Sequence, residues 1–462
     1  MATAALTADL LRRYDRPGPR YTSYPAAPHF SPSFDERALR EAARESNGDP
    51  IPRPLSLYVH VPFCTSPCFY CGCNRIITRD KSRAGPYLAT LAREIELAAG
   101  MFDRDREVVQ LHFGGGTPNF LSSGELGEVV ETLRQSFSFS GREDRDLSIE
   151  LDPRTIDAAG VQELADIGFN RASLGVQDFD AAVQAAVNRI QSVEQTLEVI
   201  EACRRHGMRS VNVDLIYGLP RQTIAGFGTT LDTVIAARPD RLAIYGYAHL
   251  PKMFVAQRRI ATESLPPPEG KLELLMLAID KLTAAGYVYI GMDHFALPDD
   301  ELAIAREAGT VHRNFMGYTT HADTDLVGLG VSAISHVGPT YSQNPRELDA
   351  WQAAIADGCL PVCRGMRMSR DDVVRADVIQ RLMCEGNVDM RDVEQRHRIA
   401  FDSYFRTALA ALRPMAEDGL VEFSPGRITV ASQGRLLLRN IAMCFDAYLD
   451  RQAVPVQFSR AI

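Results

Sequence analysis

Leu55-Ser56-Leu57-Tyr58-Val59-His60-Val61-Pro62-Phe63-Cys64-Thr65-Ser66-Pro67-Cys68-Phe69-Tyr70-Cys71-Gly72-Cys73 runs a short β-type segment straight into four cysteines. Leu55–Val61 is apolar, rich in β-formers and only a few residues long, which fits a buried parallel strand. The same kind of run recurs outward along the chain, at 108–113, 147–151, 171–176, 211–217 and 241–247. Helical patterns separate these runs at 86–101, 123–137, 157–167, 192–206 and 223–237. Pro86 suits a first helical turn, several of the others open on Ser, Thr or Asp, and Gly168 and Gly207 follow helices as C-terminal caps do. Six strands alternating with helices specify a parallel sheet.

The strand ends decide between two parallel architectures. They carry His60, Gly114-Gly115-Gly116, Glu150 with Asp152, Gln177, Asp214, and Tyr247 with His249. Consecutive strand ends that all supply a site are the arrangement of a barrel. An open doubly wound sheet concentrates its site at one switch point. The expectation is an α/β fold built on a partial or full barrel. Beyond it, Leu265-Pro266-Pro267-Pro268 makes a break, followed by a helix at 271–285, a strand at 286–294 and a Gly-rich region ending at Gly338. From Ser369 the pattern is mostly helical and closes on a hairpin at 421–430 around Pro425-Gly426. Helices followed by such a hairpin resemble a winged-helix module, but this part of the chain carries as many Asp plus Glu as Arg and no Lys. A DNA-reading wing would be basic, so a packing or lid role is expected.

Composition narrows the class. A length of 462 residues allows about three domains at roughly 150 residues each, or one large domain with extensions. With 45% hydrophobic and 24% charged residues the chain has an ordinary globular composition, which excludes a disordered or collagen-like protein. The formal net charge of −9 argues against broad nucleic-acid binding. No export signal and no apolar stretch of roughly 18 residues is seen, so no membrane association and a cytoplasmic location are expected.

An odd total of nine cysteines in such a chain argues against a disulfide framework, and the clustered four read as metal ligands. Three kinds of site compete: structural zinc, for which a second Cys/His pair is missing nearby; a ferredoxin-like cubane with four thiolates; and a cubane held by three, with one iron left open.

The spacing C-x₃-C-x₂-C after a first strand, with Tyr70 before the third cysteine and Gly114-Gly115-Gly116-Thr117-Pro118 after the second strand, resembles the radical S-adenosylmethionine (SAM) superfamily. The likeness extends further. Gly18-Pro19-Arg20-Tyr21-Thr22-Ser23-Tyr24-Pro25, Tyr58-Val-His-Val-Pro-Phe-Cys64, Gly175-Val-Gln177-Asp, Asn212-Val-Asp214-Leu-Ile-Tyr-Gly-Leu-Pro, Tyr247-Ala248-His-Leu-Pro, Gly291-Met-Asp-His-Phe, Gly328-Leu-Gly-Val-Ser-Ala-Ile334-Ser and the final Gln457-Phe-Ser-Arg460 all resemble the oxygen-independent coproporphyrinogen III oxidase family. One departure is Met316, where that family has Gln.

The resemblance implies a partial (βα)₆-type barrel of the radical SAM kind over 51–365. It also implies an N-terminal arm, 1–50, that contributes to the substrate site, and a mostly helical C-terminal domain over 366–462. The implied reaction turns two propionates of coproporphyrinogen III into vinyl groups with loss of two CO₂, giving protoporphyrinogen IX in anaerobic haem synthesis. The implied cofactors are a [4Fe-4S] cluster held by Cys64, Cys68 and Cys71, and SAM, two molecules of which are consumed per product. By the same resemblance Tyr58, Tyr70, Gly115, Gly116, Thr117, Glu150, Gln177, Arg189, Asp214, Ala248 and Ile334 line the SAM site or sites, with Tyr58, Glu150 and Ile334 in catalytic roles. Cys73 lies outside the cluster's ligand set. The implied partners are an electron donor such as flavodoxin or ferredoxin and an electron acceptor, with the enzyme a monomer. Four substrate propionates call for cations, for which Arg20, Lys252 and Arg313 are candidates, and Phe315 and Tyr24 are candidate ring contacts. Competing readings are another radical SAM tetrapyrrole enzyme or methyltransferase, a haem-carrying chaperone and a plain electron carrier. Chaperone relatives lack the fourth cysteine and the Arg20–Tyr24 motif, both present here, and the carrier reading fails on length.

Overall fold

The computed structural model describes residues 10, 13, 14, 16–449 and 458. Most of the N-terminal stretch 1–12 and of the motif at 457–460 lies outside the described residues. The chain divides into two compact units, one comprising Phe30–Gly286 and Asp323–Arg367, the other Met1–His29, Tyr287–Ala322 and Met368–Ile462.

The larger unit is built on parallel strands β1 (Leu55–Val61), β2 (Glu107–Gly115), β3 (Asp146–Leu151), β4 (Arg171–Gln177), β5 (Ser210–Tyr217) and β6 (Arg241–Gly246). They hydrogen-bond in sequential order, β6-β5-β4-β3-β2-β1, as in a sheet wound in one direction. On its other edge β1 pairs in parallel with β7 (Asp325–Leu329), after which β8 (Ile334–Val337), β9 (Thr340–Gln343) and β10 (Arg364–Arg367) continue antiparallel. Within this unit the path stays open, so the barrel is partial.

The period-2 alternation of a strand sorts the sheet's two faces. Leu57, Val59, Val61, Leu111, Phe113, Ile149, Leu174, Val211, Val213 and Leu215 are almost wholly buried. Fully burying such a side chain contributes about 1.5–3 kcal/mol. The alternate residues are polar: Tyr58 pairs with His112, His112 with Ser148, Glu150 with Ser173, and Gly175 with Asp214. Register therefore gathers polar side chains from neighbouring strands on one face.

The crossovers are α2 (Ala84–Ala99), α3 (Ser123–Ser136), α4 (Ala158–Ile167), α5 (Val193–Arg205) and α6 (Ile224–Ala237), preceded by α1 (Glu36–Asn47). Ser122 opens α3 with a reciprocal capping box, Asp157, Ser192 and Thr223 cap the next three, and Gly168 ends α4 at φ 109°. The helix after the proline break, α7 (Pro268–Ala284), starts earlier than expected because Pro268 occupies its first turn. Glu94 on α2 is buried and accepts hydrogen bonds from Gly330 N (2.7 Å), Asn344 Nδ2 (2.7 Å) and Trp351 Nε1 (3.1 Å). It thereby ties α2 to the end of β7, to the residue after β9 and to α8 (Leu348–Ala356).

In the smaller unit the strand expected at 286–294 is a hairpin of Val288–Gly291 and His294–Ala296. A second hairpin pairs His312–Asn314 with Gly317–Thr319. Ile290, Ala296, Leu302, Val311, Tyr318 and Cys384 form one apolar cluster here. Cys384 belongs to α9 (Arg370–Glu385), capped by Ser369 and Asp372 and ended by Gly386 at φ 70°. The expected hairpin is present as Val421–Ser424 and Arg427–Val430, with Asn387–Asp389 as a third strand. Residues 287–322, read from sequence as part of the catalytic domain, group with the C-terminal region through this cluster and through the bond from Tyr318 Oη to Met383 O (2.9 Å). Residues 30–50, read as arm, group with the larger unit, where α1 touches β8 and β9. No helix among the described residues is long and apolar enough to cross a membrane.

Candidate active site

The cysteine loop is closed at its base. Phe63–Cys64 pairs in parallel with Ile76–Ile77, and Thr78 N donates to Cys64 O (2.9 Å). The Arg75 guanidinium spans the loop, donating from Nη1 to Cys71 O (3.2 Å) and Cys73 O (3.3 Å) and from Nη2 to Cys68 O (3.4 Å). Each of the first three thiols has a donor: Thr117 Oγ1 reaches Cys64 Sγ (3.4 Å), Arg189 Nη1 reaches Cys68 Sγ (3.5 Å) and Cys73 N reaches Cys71 Sγ (3.4 Å). Burial pushes the Cys64 thiol up to about 11. The Cys73 thiol and, more weakly, the Arg75 charge hold Cys71 down to about 6. All nine cysteines are free thiols. Among the described residues no three His, Cys, Asp or Glu side chains converge on one ion's position.

The loop forms one wall of a cavity of about 300 Å³, lined also by Gly115, Gly116, Thr117, Glu150, Gln177, Arg189 and Asp214. Glu150 Oε2 accepts from Gly115 N (3.2 Å), and Oε1 meets His112 Nε2 (3.3 Å). His112 is itself fixed by Ser148 Oγ on Nδ1 (2.6 Å) and stacks on Tyr58 with centroids 5.9 Å apart. Asp214 is held by Asn212 Nδ2 (2.8 Å) and Ser173 Oγ (3.3 Å). Burial first, and then the Glu150 charge, push its carboxyl up to about 7. Arg189 bonds the Gly175 carbonyl and, at 3.4 Å, both oxygens of Asp152, and Asp152 also pairs with Arg154 at 2.6 Å.

Two features fit an external ligand. Gln177 Oε1 and Arg189 Nε are buried in the cavity wall without a hydrogen-bond partner. Glycine also keeps the wall thin. Gly115 sits at φ 114°, and a Cβ on Gly116 would come within 2.7 Å of the Pro62 backbone. That close approach brings the loop after β2 against the cysteine loop.

Of the residues expected from sequence, Cys64, Cys68, Cys71, Tyr70, Gly115, Gly116, Thr117, Glu150, Gln177, Arg189 and Asp214 line this one cavity. Tyr58, Ala248 and Ile334 do not. Tyr58 is stacked on His112 and bonds His60 Nδ1 (3.0 Å), Ala248 O accepts from Gln257 Nε2 (3.2 Å), and Ile334 opens β8, two strands from β1. Sequence reasoning missed Arg75, Arg154 and Tyr245 on the cavity wall. Arg154 had a signal, its place two residues past Asp152 at a strand end already read as chemical. Cys73 also lines the cavity.

Residues 58–234, from β1 into α6, match the radical SAM superfamily, and 368–437 match the HemN C-terminal domain. The chain is 50% identical to the oxygen-independent coproporphyrinogen III oxidase of Pseudomonas aeruginosa, covering 98% of each protein. It is 47% identical to that of Escherichia coli K12, again over 98% of both. This chain belongs to the oxygen-independent coproporphyrinogen III oxidase family. A solved structure described as coproporphyrinogen III oxidase (HemN) from Escherichia coli, a radical SAM enzyme, superposes with a TM-score of 0.90 at 47% identity, covering 93% of this chain and 97% of the other. The chain is thus a radical SAM enzyme, of a superfamily that uses a [4Fe-4S] cluster and SAM. For this member of the oxidase family, the thiols with their donors and the orphaned Gln177 and Arg189 atoms fit those two groups.

Proposed function

We propose that the protein oxidatively decarboxylates two propionate side chains of coproporphyrinogen III to vinyl groups, giving protoporphyrinogen IX in anaerobic haem synthesis. The observation that carries the reading is the cavity in which three donor-supported cysteines face a wall of strand-end carboxylates, amide and guanidinium. Removing hydrogen from an unactivated β-carbon is beyond acid–base side chains. When bound, the cluster and SAM supply an electron and a carbon radical that takes the β-hydrogen; CO₂ then leaves, and one further electron goes to an acceptor.

The chain's residues do the positioning. Cys64, Cys68 and Cys71 would hold the cluster, which with three thiolate ligands would keep one iron for SAM. Gly115 and Gly116 let their backbone approach the amino acid end of SAM, and Thr117 supports the Cys64 thiolate. Glu150 keeps one oxygen edge toward the cavity and accepts from ammonium or ribose hydroxyls, as does Asp214. Arg189, oriented by Asp152, receives a carboxylate, and Gln177 offers its unpaired oxygen to a donor. Tyr58 acts through His112, as the base on which the Glu150 partner rests. Ala248 and Ile334 serve a SAM molecule, and the N-terminal arm serves the substrate. Two SAM molecules are consumed per product. The electron donor is a small carrier of the flavodoxin or ferredoxin type, and the enzyme works as a cytoplasmic monomer.

Anaerobic incubation of the cluster-reconstituted protein with SAM, reductant and coproporphyrinogen III tests this. Protoporphyrinogen IX identified by mass is the expected product. Tight haem binding with no CO₂ release under active reducing conditions would instead support a haem chaperone.

A further inference from the structure

Five arginines are buried among the described residues: Arg106, Arg171, Arg189, Arg313 and Arg439. Four of them have acceptors. Arg106 pairs with Asp325 at 2.6 Å, Arg171 with Asp146 at 2.5 Å and Arg189 with Asp152 at 3.4 Å, while Arg439 bonds the carbonyls of Gly18 and Pro19. Arg313 is different. It is 5% exposed, yet its Nε and Nη1 have no hydrogen-bond partner, and no carboxylate among the described residues pairs with it. Buried charges are expensive unless paired, so an orphaned guanidinium in a folded protein calls for a missing anion.

Its surroundings supply none. Arg313 lies on the strand His312–Asn314, directly across from Tyr318, with its guanidinium carbon 4.7 Å from that ring's centroid. The Tyr318 hydroxyl is turned away, donating to Met383 O. Gln380 donates to the Arg313 carbonyl (3.1 Å) and to Cys384 Sγ (3.4 Å), and burial pushes the Cys384 thiol up to about 12, keeping it neutral. Asp293, the carboxylate whose charge also reaches Tyr318, is held by Arg20. The charges that act on Tyr318 are thus those of Arg313, Arg20 and Asp293, and the His294 ring packs edge-on against it at 5.2 Å. Beside it, the turn at Phe315 and Met316 offers no side-chain acceptor. Of the three cations considered from sequence, Arg20 is already paired and Lys252 is solvent-exposed.

We propose that Arg313 is a binding site for a carboxylate of the ligand, a propionate arm of the tetrapyrrole. The assignment rests on the proposed substrate, and its chemistry is that of an alkyl carboxylate on an aromatic-sized ring system. The carboxylate accepts from the guanidinium and completes the charge balance that Asp293 provides for Arg20. Nε and Nη1 are the two nitrogens the carboxylate would satisfy.

The test uses the full reconstituted chain, as wild type, Arg313→Met and Arg313→Lys. Coproporphyrin III and its tetramethyl ester are titrated as probes, and cluster content, SAM binding, KM for coproporphyrinogen III and the thermal midpoint are measured. Arg313→Met is expected to weaken free-acid binding and raise KM at least tenfold. It should erase the preference for acid over ester, leave cluster and SAM binding unchanged, and not lower the thermal midpoint. Arg313→Lys should restore part of the preference. A lowered midpoint with the acid preference intact would make Arg313 a structural residue and overturn the proposal, as would unchanged binding in a folded variant. Failure of wild type to turn over coproporphyrinogen III counts against the proposed reaction instead, because the acid-over-ester comparison reads Arg313 without turnover.

Discussion

At the scale of single residues, the site depends on which carboxylates and thiols keep their charge. Glu150 is fixed from two sides, by Gly115 N and by His112, so its truncation removes charge-assisted hydrogen bonds without disturbing the cysteine loop. Such bonds are worth roughly 1.5–3 kcal/mol, or about tenfold in affinity and upward. Glu150→Ala is expected to weaken SAM binding by that much and to retain its iron. Unchanged SAM affinity in the folded variant would take Glu150 out of the site. The thiols divide three to one. Cys64→Ser, Cys68→Ser and Cys71→Ser should each lose the cluster by iron content and electron paramagnetic resonance, while Cys73→Ser should retain it, because a fourth ligand would close the iron that SAM needs. Wild-type cluster content in Cys64→Ser is the outcome that sinks this assignment. The residues legible from their own chemistry were those at strand ends or in the cysteine spacing, while Arg189, after the short helix Ala181–Ala186, came only from the family resemblance. Arg75 was not legible, because an arginine in a loop has no periodicity to mark it, and Arg154, marked only by its place two residues past Asp152, was passed over. Their contacts to cysteine carbonyls and to Asp152 exist only once the loops are packed.

Elements set how closely the site's pieces approach. The loop after β2 meets the cysteine loop through Gly116, whose added Cβ would lie 2.7 Å from Pro62 C and O and 2.8 Å from Phe63 O. Gly116→Ala cannot be relieved by rotating a side chain, because the obstacle is backbone. Loss of SAM binding together with a lowered thermal midpoint is expected, and a variant with both intact would show that the two loops are free to separate. The junction of α2, β7 and α8 carries a pH dependence. Burial raises Glu94 from the usual 4.5 to about 7. Its folded pKa lies above its unfolded one, so its contribution to stability is full below about 4.5 and is lost as pH rises through about 7. Denaturant titrations between pH 5 and 8 should show wild type losing stability over this window and Glu94→Gln losing less. Parallel slopes for the two proteins would contradict this. The first six strands were legible to within a residue or two, since each is apolar on one face and bounded by caps. β7 was not, because Gly328 and Gly330 disguise it as loop. Both glycines are needed there: a Cβ on Gly328 would strike the Ile334 backbone at 2.5 Å, and Gly330 sits at φ 93° against the Tyr87 hydroxyl.

At the scale of the whole molecule, the strand-end pattern correctly favoured a singly wound partial barrel over a doubly wound sheet, because sequential strand order brings every strand end to one face. The division into units was less legible. Composition changes little at residue 287, and it is the packing of Ile290, Leu302 and Tyr318 with Cys384, with the Tyr318 bond to Met383 O, that groups 287–322 with the C-terminal region. The chemistry proposed for the molecule has its own arithmetic. In the proposed reaction the cysteines would fix one radical source, while the two reacting propionates would lie on different pyrroles, so the substrate would turn or leave between steps. The most direct measurement is a quenched anaerobic time course that counts 5′-deoxyadenosine by chromatography and tetrapyrroles by mass. Two 5′-deoxyadenosines per protoporphyrinogen IX are expected, with a mono-vinyl species rising and then falling and little SAM cleavage before substrate is added. SAM cleavage that proceeds at the same rate without coproporphyrinogen III, and yields no vinyl product when it is present, would contradict the reaction proposed for this site.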